Sequence, residues 1–278
     1  MNETPFRLRT VVSGVPPSPN PPIVMIHGAF CAGWAFDAFR QPFEAAGYEV
    51  HAPDLRHHGH SPRAQPPASL GTTSVLDYAA DLRRFIAGLH APPILIGHSM
   101  GGLLAQMLAS QIEVQAIALI APSAPWGIMP SGTEEMVSAA GLYLAGHDFW
   151  HQPLRPQYAI AAEHTLDRLP SAERRAIFSR FVPESGRAAF EIWHWPMDWQ
   201  RATFVHAHAV TCPVLCLAGE RDRVNPAPTV RRIAKRYREK SSFVAFPHMS
   251  HWMIGEPGWE DVAAMTLEWA GALEPAYG

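Results

Sequence analysis

The sequence predicts an α/β fold, a mostly parallel, doubly wound sheet with helices on both faces and an inserted helical lid. Short apolar runs alternate with helix-like segments along most of the chain. The runs are continuously apolar, as in strands that are buried on both faces. The alternation stops within residues 123–204. We therefore expect residues 1–122 and 205–278 to form the core and residues 123–204 to form the lid.

The strands of the core are predicted from apolar or alternating runs between turn residues. They cover residues 6–12, 23–26, 48–51, 94–96, 114–120, 213–218 and 242–246. The helices are predicted from apolar residues at three-four spacing and from glycines that end them. They cover residues 34–46, 73–89, 103–109, 226–237 and 260–273.

The lid region contains no convincing strand and is rich in tryptophan. Four helices are predicted there, at residues 133–145, 156–168, 171–181 and 184–194. Five of the nine tryptophans fall in this region, namely Trp126, Trp150, Trp193, Trp195 and Trp199. A cover with this composition favours an apolar, aromatic pocket.

Composition narrows the class of protein. The chain has 278 residues, of which 47% are hydrophobic, enough for one large core. The net charge of -3 and the lack of a long basic run predict no nucleic-acid or membrane partner. Three cysteines and an N-terminus without the features of a signal peptide predict a cytoplasmic protein. Nothing in the sequence specifies an oligomeric state.

A Gly-x-Ser-x-Gly sequence lies between an apolar strand and a helix. It runs from Gly97 through Ser99 to Gly101. Such a sharp turn needs glycine two residues before and two after the serine, because larger side chains would collide. The turn holds the hydroxyl of Ser99 clear of the sheet, at the positive end of a helix.

Two further strand ends carry polar residues that suit a nucleophilic serine. Asp222 follows the strand at 213–218, and His251 follows the strand at 242–246. A histidine must take the proton of the serine, and a carboxylate must orient that histidine. The oxyanion of the intermediate needs backbone N–H donors, for which we expect Met100 and Ala29, with Phe30 as the alternative to Ala29.

With these residues in place, the chain resembles the α/β-hydrolase superfamily, in its lid-bearing esterase, lactonase and C–C hydrolase-like branch. His27-Gly28-Ala29-Phe30 resembles the oxyanion motif of that family, and residues 97–102 resemble its nucleophile elbow. The segment 54–61 resembles its Asp-x-Arg-Gly-x-Gly-x-Ser loop, with His57 in place of the first glycine. The resemblance implies a triad of Ser99, Asp222 and His251.

Several residues compete with these assignments. His248 is an alternative base, but the Glu256-Pro257 that follows matches the register of His251. Asp198 and Glu220 are alternatives to Asp222, although Asp198 lies in the lid and Glu220 comes earlier in its turn.

Two other groups of residues invite functional readings that we do not favour. The spacing of His57, His58 and His60 matches no standard zinc pattern, so we predict no metal and no cofactor. Cys31 lacks a glycine elbow and is interpreted as a small buried hydrophobe.

The substrate contacts are predicted from aromatic and histidine residues near the triad and in the lid. They are Phe30, His98, Trp126, His151, Trp193, Trp195 and Trp252, with His194 and Met197 as further candidates. An aromatic lining suits a small hydrophobic or aromatic ester.

The predicted function is a serine hydrolase that cleaves a carboxylic ester or lactone with a hydrophobic acyl group through an acyl-enzyme. One alternative is C–C bond hydrolysis of a diketone-like substrate by the same residues. Another is a ligand receptor that keeps the fold with little turnover. Serine at position 99 disfavours a dehalogenase, which needs aspartate there.

Overall fold

The described residues, 10–12, 20–59, 61–131 and 148–273 of a computed structural model, are built around a seven-stranded sheet. The strands in chain order are β1 Thr10–Val12, β2 Ile23–Ile26, β3 Val50–Pro53, β4 Ile94–His98, β5 Ala116–Ile120, β6 Pro153–Leu154, β7 Glu184–Ser185, β8 Val214–Gly219 and β9 Ser241–Phe246. The order in the sheet is β1-β3-β2-β4-β5-β8-β9. Strand β1 is antiparallel to β3, and the other neighbours are parallel. This confirms the predicted α/β class.

Helices cover both faces of this sheet. They are α1 Gln41–Ala45, α2 Val75–Ile86, α3 Met100–Ala109, α4 Tyr158–Ile160, α5 Ser171–Phe178, α6 Gly186–Trp193, α7 Ala227–Lys235 and α8 Trp259–Gly271. A π-helical turn, Ala161–Thr165, continues α4. The 3₁₀ turns are Gly33–Phe36, Ala68–Thr72, Phe149–His151, Trp195–Met197, Ala207–Ala209 and Arg238–Lys240. Apolar residues of α2, α3 and α7 form the core on one face, and those of α1 and α8 form the core on the other.

Two predictions about elements need correction. The helix expected at 34–46 is a 3₁₀ turn followed by the short α1, since Pro42 starts a new helix more readily than it continues one. The segment 123–204 does contain strands, because β6 and β7 form an antiparallel pair. Each is two residues long, too short for any periodicity to reveal. The helix predicted at 133–145 and the first four residues of the strand at 6–12 lie outside the described residues.

The segment between β5 and β8 is a long excursion from the sheet. Strands β5 and β8 are parallel neighbours, so the chain leaves the sheet after β5 and returns to it beside β5 at β8. In the described ranges, no helix is both long enough and apolar enough to cross a bilayer.

Candidate active site

Ser99 lies at the turn between β4 and α3 in a strained conformation. Its φ of 54° and ψ of -120° fall outside the regions that side-chain-bearing residues normally adopt. A Cβ on Gly97 would lie 2.3 Å from the carbonyl oxygen of Gly101, and one on Gly101 would lie 1.9 Å from that of Ile26. Only glycine fits either position, so the turn explains the spacing of the Gly-x-Ser-x-Gly sequence.

The structure brings Ser99, His251 and Asp222 into one hydrogen-bonded line. The hydroxyl of Ser99 donates to Nε2 of His251 at 3.1 Å. Nδ1 of His251 donates to Oδ2 of Asp222 at 2.9 Å. All three side chains are buried, and they follow β4, β8 and β9 at one edge of the sheet. The arrangement can pass a proton from the hydroxyl to the imidazole.

The carboxylate oxygen of Asp222 that does not face His251 is held by the backbone. Its Oδ1 accepts the backbone N–H groups of Val224 at 2.8 Å and Asn225 at 2.9 Å. The side chain of Glu220 is exposed instead, and Asp198 accepts from the backbone at the end of the excursion, residues 200 and 202. Of the three carboxylates considered, Asp222 is the one that contacts His251.

The backbone of His251 is held by neighbouring polar side chains. Nε2 of His98 donates to the carbonyl of His251 at 2.8 Å, and Oγ of Ser250 accepts the N–H of His251 at 2.6 Å. Burial, together with the nearby His251, lowers the pKa of His98 to about 3, so this ring is neutral. His248, the alternative base, is exposed.

The loop after β2 lies directly against the serine. A Cβ on Gly28 would come within 3.0 Å of Cβ of Ser99. Phe30 has a φ of 62°, and its N–H donates to Oε2 of Glu184 at 3.3 Å. Within the part of the chain that the structure describes, no hydrogen bond occupies the N–H groups of Ala29 and Met100.

A buried polar cluster lies behind this loop. Nε2 of His58 donates to Oε2 of Glu184 at 3.0 Å, and the hydroxyl of Tyr78 donates to Oε1 at 2.8 Å. The rings of His58 and His27 are 5.2 Å apart. His57 adopts a φ of 70°, which accounts for the glycine that the related motif has at this position.

The pKa values of the two histidines in this cluster are shifted in opposite directions. Burial, then the neighbouring His58, lowers the pKa of His27 to about 3, and its Nε2 accepts the N–H of Leu55. Burial also opposes the charge on His58, but the charge and hydrogen bond of Glu184 outweigh it and raise the pKa of His58. Sequence analysis gave no role to Glu184, because no motif surrounds it.

A cavity of about 440 Å³ opens above Ser99 and His251. Four predicted contacts line it, namely Phe30, His98, Trp193 and Trp252. Three others do not. Trp126 packs edge-on against Trp195 with ring centroids 5.1 Å apart, and His151 is exposed at the end of the 3₁₀ turn Phe149–His151. His194 and Met197 also lie outside the lining. Trp126, Trp195 and His194 pack against other aromatic rings of the excursion, whereas His151 and Met197 are exposed. Composition alone does not distinguish these outcomes from pocket lining.

Much of the lining was missed by sequence analysis. It comes from the extended residues 152–157, from residues 160, 161, 164 and 165 around the π-helical turn, and from Phe181 and Val224. Neither an extended segment nor a π-helical turn has a hydrophobic period that would mark its inner face.

Burial among apolar groups raises the pKa of Cys31, which makes this thiol a poor nucleophile.

No group of three or more histidine, cysteine or acidic residues suited to a metal ion is present among the described residues. His60, one of the three histidines considered, is not among them. The ring nitrogens of His58 are both engaged, with Glu184 and with the carbonyl of Arg56.

The chain is similar in sequence to known hydrolases. The sequence model described as "Alpha/beta hydrolase family" matches residues 23–265. A pyrethroid hydrolase of Sphingobium wenxiniae is 38% identical over 101 residues, 35% of this chain and 34% of the relative. Epoxide hydrolase 3 of Xenopus tropicalis is 26% identical over 277 residues, 91% of this chain and 72% of the relative. The chain thus spans about a third of the first relative.

A solved structure supports the same fold. The monoacylglycerol lipase of Paleococcus ferrophilus superposes with a TM-score of 0.69 at 21% identity. The match covers 97% of this chain and all of the lipase chain.

Proposed function

The chain belongs to the alpha/beta hydrolase family, and from that membership we propose that it is a serine hydrolase acting on a carboxylic ester. The observation that carries the proposal is the buried line from Ser99 through His251 to Asp222 beneath a cavity. A buried carboxylate that orients an imidazole toward a serine is the arrangement that activates a hydroxyl at neutral pH.

The reaction follows from these contacts. Ser99 Oγ attacks the ester carbonyl carbon while His251 Nε2 takes the hydroxyl proton. The tetrahedral oxyanion accepts hydrogen bonds from the N–H groups of Ala29 and Met100. The intermediate collapses when His251 returns the proton to the leaving alcohol, leaving an acyl group on Ser99. A water molecule then gives a proton to His251 and attacks the acyl carbon. The second tetrahedral intermediate collapses when the bond to Ser99 Oγ breaks and His251 returns the proton to that oxygen, which releases the acid and regenerates Ser99.

Ala29 is the better donor of the two considered in its loop. The N–H of Phe30 is turned to Glu184, whereas that of Ala29 is unoccupied. Met100 begins α3, so its N–H belongs to the positive end of that helix. Removal of one such donor typically costs about 10²–10³ in kcat.

The lining favours a small hydrophobic or aromatic ester. Trp193, Trp252, Phe181 and Leu154 provide its apolar wall. One relative, similar over 35% of this chain, is named a pyrethroid hydrolase. We further propose that residues 123–204 act as a lid, since the described part of this segment supplies one wall of the cavity.

The test of the proposed function is hydrolysis of 4-nitrophenyl butyrate by the Ser99→Ala variant. We expect kcat to fall by at least about 10³-fold. Ser110→Ala, at the end of the same helix and remote from His251, is the matched control and should keep wild-type turnover. Near-normal turnover by Ser99→Ala would remove Ser99 from the mechanism.

A diketone substrate and a binding measurement separate the alternative functions. Diketone cleavage that exceeds ester cleavage would favour the C–C hydrolase. Binding of an ester without turnover by the folded protein would favour the receptor.

A further inference from the structure

We propose that Glu184 and His58 are positioning residues of the oxyanion hole, because their buried ion pair fixes Phe30 and thereby aims the N–H of Ala29 at the substrate. This inference rests on the proposed serine hydrolase. It deepens that function by assigning a role to two residues outside the triad.

The peptide groups on both sides of Phe30 are anchored by the same short segment. Its N–H donates to Oε2 of Glu184 at 3.3 Å, and its carbonyl accepts the N–H of Val182 at 2.9 Å. Phe30 has a φ of 62°, which a residue with a side chain adopts only when its surroundings enforce it. The two anchors supply that enforcement. The N–H of Cys31, in the same peptide as the Phe30 carbonyl, donates to the carbonyl of Gly28 at 3.4 Å. That carbonyl belongs to the peptide that carries the N–H of Ala29, so the anchored turn also orients this N–H.

Each carboxylate oxygen of Glu184 already accepts two hydrogen bonds. Oε2 accepts from Phe30 and His58, and Oε1 accepts from Tyr78 and from the N–H of Ser185 at 2.7 Å. All four partners are donors. An amide in its place would have to turn its own NH₂ toward at least one of them, and a buried donor facing a donor is costly.

His58 supplies the counter-charge. Its Nδ1 lies 2.9 Å from the carbonyl of Arg56 and its Nε2 lies 3.0 Å from Glu184, so both ring nitrogens face acceptors and both carry protons. The other groups that face this ring are His27, which is neutral, together with Tyr78 and Asp54. The resulting imidazolium keeps the carboxylate ionised, with its acceptors available to Phe30.

The pair joins two parts of the chain that are far apart in sequence. His58 lies in the loop after β3, and Glu184 lies 126 residues later in β7. The excursion is therefore attached to the loop after β3 by a charged contact, and to the loop after β2 by the hydrogen bond from the N–H of Phe30. An uncharged replacement would leave the cover in place but loosen Phe30.

The experiment is steady-state hydrolysis of 4-nitrophenyl butyrate by the Glu184→Gln variant. We expect kcat to fall about 10- to 100-fold, as a misplaced rather than missing donor would produce, with KM changed by less than about threefold. Tyr78→Phe is the matched control, because Tyr78 donates to Oε1 of the same carboxylate, whereas Phe30 donates to Oε2. It should lower thermal stability while keeping kcat within about twofold of wild type.

A second variant keeps the test decisive should Glu184→Gln fail to fold. His58→Gln leaves the carboxylate in place without its counter-charge, so Glu184 becomes easier to protonate. We expect kcat of this variant to decline at a higher pH than kcat of the wild type on the acid side. Unchanged kcat in folded Glu184→Gln, or an unshifted acid limb in His58→Gln, would overturn the proposal.

Different variants test the proposed function and the positioning role. Retained turnover by Ser99→Ala would refute the serine mechanism itself. An inactive Ser99→Ala together with a fully active Glu184→Gln would refute only the positioning role.

Discussion

At the scale of single residues, Asp222 depends on accepting hydrogen bonds at both oxygens. Oδ1 accepts two backbone N–H groups and Oδ2 accepts Nδ1 of His251. An amide cannot do both. Its NH₂ would face either the two backbone donors or the imidazole, where it would enforce the tautomer that cannot receive a proton from Ser99.

We predict that Asp222→Asn lowers kcat for 4-nitrophenyl butyrate by about 10⁴-fold with little change in KM, the effect known for the corresponding change in serine proteases. Glu220→Gln removes an exposed carboxylate two residues earlier and serves as the control. A loss of similar size in both variants would show that the loop, and not the hydrogen bond to His251, is responsible.

The three residues of the hydrogen-bonded line could be predicted from the sequence because their positions after predicted strands indicate where they lie in the fold. Ser99, Asp222 and His251 each follow a strand, and parallel strands bring their carboxyl ends to one edge of a sheet. Glu184 has no such marker. Its partner His58 is distant in sequence, and their pairing depends on how the excursion packs on the core, which no local pattern encodes.

At the scale of elements, the strands and long helices of the core followed the hydrophobic pattern closely. The helix expected at 73–89 is Val75–Ile86, and the strand expected at 213–218 is Val214–Gly219. Agreement was poorer in the excursion. Its pieces are short, and one of them continues as a π-helical turn whose spacing differs from that of an α-helix.

The ion pair between His58, in the loop after β3, and Glu184, in β7, gives a prediction about how stability depends on pH. The pKa of His58 is raised above its ordinary value of 6.5, so its contribution is complete below that pH and is lost as the pH rises through the raised pKa. Burial opposes the charge on Glu184 too. The charge and hydrogen bond of His58, with the hydrogen bonds from Ser185 and Tyr78, together outweigh burial and lower the pKa of Glu184 below 4.5. Its contribution is present above pH 4.5 and is lost as the pH falls.

The ion pair should therefore stabilise the fold most between about pH 4.5 and 6.5. Urea unfolding of wild type and His58→Gln at several pH values measures this directly. We expect the variant to be less stable by about 3–5 kcal/mol in that window, with the difference narrowing at higher pH. A difference that is independent of pH would mean that His58 is uncharged in the folded protein.

At the scale of the whole molecule, the cavity is assembled from both parts of the chain. The core provides its floor at Ser99 and His251, and the excursion provides a wall that includes Leu154 and Ile160. We therefore expect the core to determine the chemistry and the excursion to determine which substrates are accepted. A substitution in the wall should change which esters are accepted without changing how they are cleaved.

Ile160 tests this separation because it lines the cavity and is 46% exposed, so a larger side chain there disturbs little packing. We predict that Ile160→Trp lowers kcat/KM for 4-nitrophenyl decanoate about tenfold while hydrolysis of the acetate stays within about twofold of wild type. Tyr158→Trp, on the same helix but outside the lining, is the control. Equal losses for both esters would argue against a role of this wall in substrate size.

The central claim is that Ser99 is an activated nucleophile, and labelling with an alkyl fluorophosphonate followed by mass spectrometry of the digested protein tests it most directly. The serine oxygen displaces fluoride from phosphorus and keeps the phosphonyl group. We predict one adduct per chain, located on the peptide that contains Ser99 and formed at the rate at which esterase activity disappears. Full inactivation with the adduct on another residue, or a folded and active protein whose Ser99 stays unlabelled, would contradict the account.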